Sequence, residues 1–104
     1  MLTINSDTHF MQQALLQADL ADQKLEIPVG AVIVSEDKII ARAFNQVEQL
    51  QDVTAHAEIL AITSAQNYLS SKYLDQCTMY STLEPCTMCA GALFWSQLGA
   101  LMIG

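Results

Sequence analysis

Apolar positions along the chain fall into short blocks of two periodicities, and the alternation of those blocks predicts the elements. Phe10, Ala14, Leu15, Ala18, Ala21 and Leu25 recur at helical spacing. They predict a first helix ending at about Lys24, with Ser6, Asp7 and Thr8 as candidate N-caps. Pro28 stops any helix that reaches it. Val29–Val34 is apolar and rich in β-branched residues, and the polar turn Ser35-Glu36-Asp37-Lys38 separates it from a second such run, Ile39–Phe44. Together they predict a β-hairpin. Gln46–Asp52 is polar and reads as a loop long enough to lie over a site. Ile59, Leu60, Ile62 and Ala65 give an apolar face to a second helix, capped by Thr54 and ending near Asn67. A strand over Cys77–Thr82 follows, then a helix through Trp95 that Gly99 breaks, then a strand at Leu101-Met102-Ile103. This order predicts a mixed central sheet flanked by helices, an α/β layered domain. Phe94 and Trp95 are expected in the core, with Met11, Met79, Met88 and Met102 filling gaps.

Length and charge narrow the picture. At 104 residues the chain holds one domain, residues 1–104. Apolar runs such as Val29–Val34 are far too short to cross a bilayer. Met1–Asn5 lack the basic and long apolar regions of a signal peptide, so a cytoplasmic protein is expected. The net charge is −7, from 4 basic and 11 acidic residues, which works against non-specific affinity for nucleic acid. Three cysteines make an odd count, which argues for ligands plus one spare and against a disulfide framework. Cys77 is the spare, expected as a small buried apolar residue. His9 is expected to be a solvated surface residue.

Two separated stretches carry the chemistry: Thr54-Ala55-His56-Ala57-Glu58-Ile59 and Leu83-Glu84-Pro85-Cys86-Thr87-Met88-Cys89-Ala90-Gly91. His56, Cys86 and Cys89 offer one imidazole and two thiolates, the nitrogen and sulfur donors that tetrahedral zinc prefers, and three protein ligands leave a fourth position for water. Glu58 supplies a carboxylate able to take a proton from that water and deliver it again. A purely structural zinc is the alternative, but such sites normally close with a fourth Cys or His. Residues two apart inside a helix face nearly opposite ways, so His56 and Glu58 must sit at a helix start. Cys86 and Cys89, three apart behind Pro85, share a face if a helix begins there. Two helix N-termini then meet at the metal, and their dipoles are expected to lower the cysteine pKa values.

His-x-Glu followed by Pro-Cys-x-x-Cys is the signature of zinc-dependent nucleobase deaminases. With Pro28-Val29-Gly30-Ala31-Val32, Phe44-Asn45 and Thr82–Ala92, the chain resembles the cytidine deaminase-like superfamily over nearly its whole length, and within it the bacterial tRNA-specific adenosine deaminases, with guanine deaminases as near relatives. The resemblance implies a three-layer cytidine deaminase-like fold, one Zn²⁺ per chain held by His56, Cys86 and Cys89, and Glu58 as proton shuttle. It also implies substrate contacts from Asn45, otherwise a simple turn residue, and from the Ala57 backbone, and a homodimer. Val53 stands where the tRNA group commonly has proline, and Gln97 and Ala100 stand near positions that are commonly basic there. Members also continue into a further strand and C-terminal helices, so the chain is expected to be an N-terminal portion. The favoured activity is hydrolytic deamination of adenosine to inosine in a tRNA anticodon loop. The alternatives are deamination of a free base, nucleoside or nucleotide (guanine, cytidine, deoxycytidylate) and an inactive zinc-binding fragment.

Overall fold

The structure, a computed structural model, describes residues 6–104; Met1–Asn5, on which the leader expectation rests, lie outside the described residues. The first helix, α1 (Ser6–Gln23), leads to a hairpin of β1 (Gly30–Ser35) and β2 (Lys38–Phe44). A four-residue helix α2 (Val47–Leu50) and the longer α3 (Ala57–Leu69) precede β3 (Cys77–Ser81), α4 (Thr87–Trp95) and β4 (Ala100–Ile103). The sheet order is β2-β1-β3-β4, with β1 antiparallel to both neighbours and β3 parallel to β4.

β1 is covered on both faces, which is why its sequence is apolar without alternation. Successive side chains of a strand point to opposite faces. Ala31 and Ile33 accordingly join Ala57, Ala61 and Met79 under α3, while Val32 and Val34 pack with Phe10, Ala14 and Tyr80 under α1. The Tyr80 hydroxyl donates a hydrogen bond to Asp7, tying α1 to the sheet at its start. The hairpin turns at Glu36 and Asp37, with φ of 52° and 63°, between the paired residues Ser35 and Lys38. Two positive φ values in a two-residue loop match the right-handed twist of the flanking strands. Ile40 is the extra residue of a bulge, since Ile33 pairs with Ala41 and Val34 with Ile39.

Element types agree with the sequence pattern, and several placements differ. Asp7 and Thr8 lie inside α1 instead of capping it. Thr54 caps nothing: its backbone N–H and hydroxyl both donate to Asp52, and the N-cap of α3 is His56. The polar stretch after Asn45 contains α2, whose single turn is too short for a periodic signal. Leu25 is not on the buried face of α1; it adopts a left-handed conformation and is 90% exposed. Phe94, Trp95, Met88 and Met102 are exposed, whereas Met79 is fully buried as expected and Met11 packs against the α1 side of the core. Cys77 is free and buried, and His9 is exposed. α4 ends at Ser96 and Gln97, the latter at φ 55°, before Gly99 is reached. Gly99 is needed for another reason: a Cβ there would sit 2.4 Å from the Asp75 carbonyl oxygen.

Gly30 sets the depth of the α1 layer. A Cβ at this position would lie 2.2 Å from the carbonyl oxygen of Ala14 and 2.5 Å from the amide nitrogen of Ala18, both backbone atoms. Gly30→Ala must therefore push α1 off the sheet. It is expected to cost about 3 kcal/mol and to lower Tm by roughly 10–20 °C in a thermal melt; an unchanged Tm would contradict this packing.

Candidate functional site

β2 and β3 flank β1 and both run against it, so they point the same way and their carboxyl ends emerge at one edge of the sheet. α3 follows β2 and α4 follows β3, which brings the N-termini of both helices to that edge. The carboxyl ends of strands are where open α/β sheets bind ligands. The backbone of Val29 and Gly30 fastens the two exits together. Asn45 N–H donates to the Val29 carbonyl at 3.1 Å, Thr82 N–H to the Gly30 carbonyl at 3.0 Å, and Gly30 N–H to Thr82 Oγ1 at 3.1 Å.

His56 is the N-cap of α3 and Cys86 the N-cap of α4, both with extended backbone, and neither helix has a side-chain cap. Because the N-cap side chain projects past the first turn, His56 and Glu58 need not face apart as they would in a helix interior. His56 Nδ1 lies 3.7 Å from Cys86 Sγ and 3.5 Å from Cys89 Sγ, and the three donor atoms fall within 4.8 Å of one another. A tetrahedral zinc with bonds of about 2.3 Å to sulfur and about 2.0–2.1 Å to nitrogen would separate such ligands by roughly 3.6 Å. The donor set therefore fits a zinc-sized ion, and the cluster can hold one.

The two thiols differ. Cys86 is exposed and its pKa is lowered, chiefly by the backbone N–H of Cys89 in the first turn of α4. Cys89 is buried, and burial followed by the Glu58 carboxylate pushes its thiol up to about 12. The expected lowering by helix dipoles thus holds for Cys86 alone, since desolvation and a neighbouring negative charge outweigh it at Cys89. A divalent cation beside Cys89 reverses the sign of that local field.

Beside the cluster opens a cavity of about 530 Å³, lined by His56, Cys86, Glu58 and Asn45 among others. Glu58, in the first turn of α3, is only 4% exposed, and Asn45 only 6%. Ala57 is fully buried between His56 and Glu58, with its side chain in the core. The lining includes the exposed apolar side chains of Leu25, Ile27, Val53 and Leu83, which the sequence pattern did not place at a cavity. Glu26, Glu48 and Glu84 also line it, and among the described residues no lysine or arginine does. Among the described residues, no helix is long and apolar enough to cross a membrane.

A layered α/β domain with a His/Cys/Cys cluster and a buried carboxylate at the sheet edge is the class that fold and site define. Residues 4–104 match the family described as cytidine and deoxycytidylate deaminase zinc-binding region, and the chain belongs to that family. It is 52% identical over 90 residues to a tRNA-specific adenosine deaminase of Aquifex aeolicus, covering 86% of this chain and 60% of that protein. It is 43% identical over 101 residues to the tRNA-specific adenosine deaminase of Bacillus subtilis, covering 97% and 63%. Among solved structures, one from a study of A-to-I editing by tRNA:A34 deaminases at the wobble position superposes with a TM-score of 0.91 at 45% identity, covering 93% of this chain and 70% of that one. Guanine deaminase from Bacillus subtilis gives 0.90 at 38% identity, covering 93% and 62%. The chain thus spans about 60% of the length of curated relatives it matches.

The thiol asymmetry predicts a labelling order. In metal-free protein near neutral pH, iodoacetamide should modify Cys86 first, with Cys77 and Cys89 slower by roughly two orders of magnitude, because both are buried with raised pKa values. Peptide mass spectrometry over time reads the order. Zinc should protect Cys86; equal rates at all three thiols would contradict the geometry.

Proposed function

We propose that this domain catalyses zinc-dependent hydrolytic deamination of a nucleobase, with adenosine in a tRNA anticodon loop as substrate. The observation that carries the reading is Glu58, a buried carboxylate in the first turn of α3 that lines one cavity with His56, Cys86 and Asn45. The likeness to tRNA-specific adenosine deaminases supports the substrate.

His56 Nδ1, Cys86 Sγ and Cys89 Sγ would hold one zinc per chain. A zinc held there would supply an acidified water as the nucleophile near neutral pH. Glu58 accepts one proton of the attacking water and delivers it to the ring nitrogen as the water oxygen bonds to the amine-bearing carbon; it then moves the remaining hydroxyl proton to the amine as the C–N bond breaks, leaving a ring carbonyl and releasing ammonia. Asn45 orients the base by its carboxamide and Ala57 contributes through its backbone. Low exposure of Glu58 and Asn45 keeps competing water from both groups. Among the described residues the cavity lining has no lysine or arginine, so it suits a neutral base, and phosphates of a tRNA bind outside it. The exposed Phe94 and Trp95 of α4 support self-association as a homodimer. Thiolate ligands suit a reducing compartment, which favours the cytoplasm.

A free purine base is the second reading, favoured by the superposition on guanine deaminase and by the cation-free cavity lining. Ammonia release from an adenosine-containing anticodon stem-loop, compared with guanine, cytidine and deoxycytidylate, separates the two. Release from guanine alone would overturn the tRNA assignment, and zinc binding with no release from any base would leave a zinc-binding fragment. In a chain active on the stem-loop, Glu58→Gln should keep stoichiometric zinc while kcat falls by about 10²–10⁴-fold or more. Retained turnover with metal content confirmed would remove Glu58 from the proton path.

A further inference from the structure

Glu26 is a buried carboxylate, 5% exposed, outside the metal cluster and unused by the chemistry above. Its neighbours Leu25 and Ile27 point outward, 90% and 68% exposed, so the strap from α1 to β1 is inverted, with its charge inside and its apolar groups at the cavity mouth. The carboxylate reaches across to the loop after β2. Oε1 accepts the backbone N–H of Glu48 at 3.0 Å and Oε2 that of Gln49 at 2.7 Å. These are the second and third residues of α2, whose N–H groups a helix's own N-cap side chain normally satisfies. Gln46, the local N-cap, makes no such bond.

We infer that Glu26 is a positioning residue for the substrate cavity, capping α2 from a distant part of the chain and so fixing the wall that carries Val47 and Val53 beside Asn45; the inference rests on the deaminase reading of that cavity. Elsewhere the loop is held by Gln46 N–H to the Ala55 carbonyl at 3.0 Å, Leu50 N–H to the Gln46 carbonyl at 2.9 Å and Asp52 N–H to the Val47 carbonyl at 3.1 Å, none of which engages the N–H groups of Glu48 and Gln49, and those two donors rest on Glu26. Val47 opens α2 and Val53 lies just past it, so a shift of α2 moves both across the cavity, while Asn45, tied by its N–H to the Val29 carbonyl, stands at the loop's fixed start. Both oxygens of Glu26 are committed to backbone donors, which suits it to holding geometry and not to exchanging protons.

The test is Glu26→Gln in the zinc-loaded full-length protein. Glutamine keeps the shape but only one acceptor, and its NH₂ faces a second N–H donor. Three readouts are compared with wild type: amide exchange at Glu48 and Gln49, KM and kcat on the anticodon stem-loop, and stem-loop affinity in the Glu58→Gln background. Lost protection at one amide or both, with KM and Kd raised roughly 10-fold and kcat within about twofold, is the expected result. Zinc content and Tm control for general damage. Unchanged protection would overturn the cap, and lost protection with unchanged KM and Kd would overturn the positioning role. If wild type neither binds nor turns over the stem-loop, the function proposed above fails, and so does the positioning role that rests on it; the amide arm then still reports whether the cap itself exists.

Discussion

The site depends on strand direction. Because β1 runs against both β2 and β3, the two neighbours deliver the chain to the same edge, and each delivers it into a helix. Neither helix start could assemble the cluster alone: α3 brings His56 and Glu58, and α4 brings Cys86 and Cys89. Their registration comes from backbone bonds at Val29 and Gly30, to Asn45 on one side and Thr82 on the other. Gly30 serves twice, since its missing Cβ also lets α1 close over the opposite face of the sheet. A single dipeptide thereby couples the packing of the domain to the spacing of its donor atoms.

Electrostatics at the edge pull in two directions. The first turn of α4 favours the Cys86 thiolate, whereas burial and the Glu58 carboxylate oppose that of Cys89. A cation at the cluster resolves the conflict, because one positive centre offsets the cost of a buried thiolate and a buried carboxylate together. The same concentration of negative charge continues into the cavity through Glu26, Glu48 and Glu84. Such a lining suits a neutral ring and repels phosphate.

What the sequence made legible was whatever has a short-range signature. Donor spacing around Pro85 and the His-x-Glu pair identified the cluster and its placement at helix starts, and the β-branched blocks identified the hairpin. Features set by long-range contact were not legible. Leu25 fits the helical period of α1 yet faces the cavity mouth, and Glu26 looks like a surface charge although its partners lie 22 and 23 residues away. α2 is one turn long and takes its cap from elsewhere, so it has no local sequence mark. Phe94 and Trp95 carry core-like composition at the exposed end of α4. The raised Cys89 thiol is likewise set by long-range contact, since a helix start is visible in sequence and burial beside Glu58 is not.

The central claim is that two helix N-termini present one nitrogen and two sulfur donors to a single metal. X-ray absorption at the zinc edge of the zinc-loaded protein tests it most directly. The expected spectrum has one zinc per chain, two sulfurs at about 2.3 Å, one nitrogen at about 2.0–2.1 Å and one further light atom. A shell of three or four sulfurs, or a spectrum unchanged by removing His56 or Cys86, would contradict it.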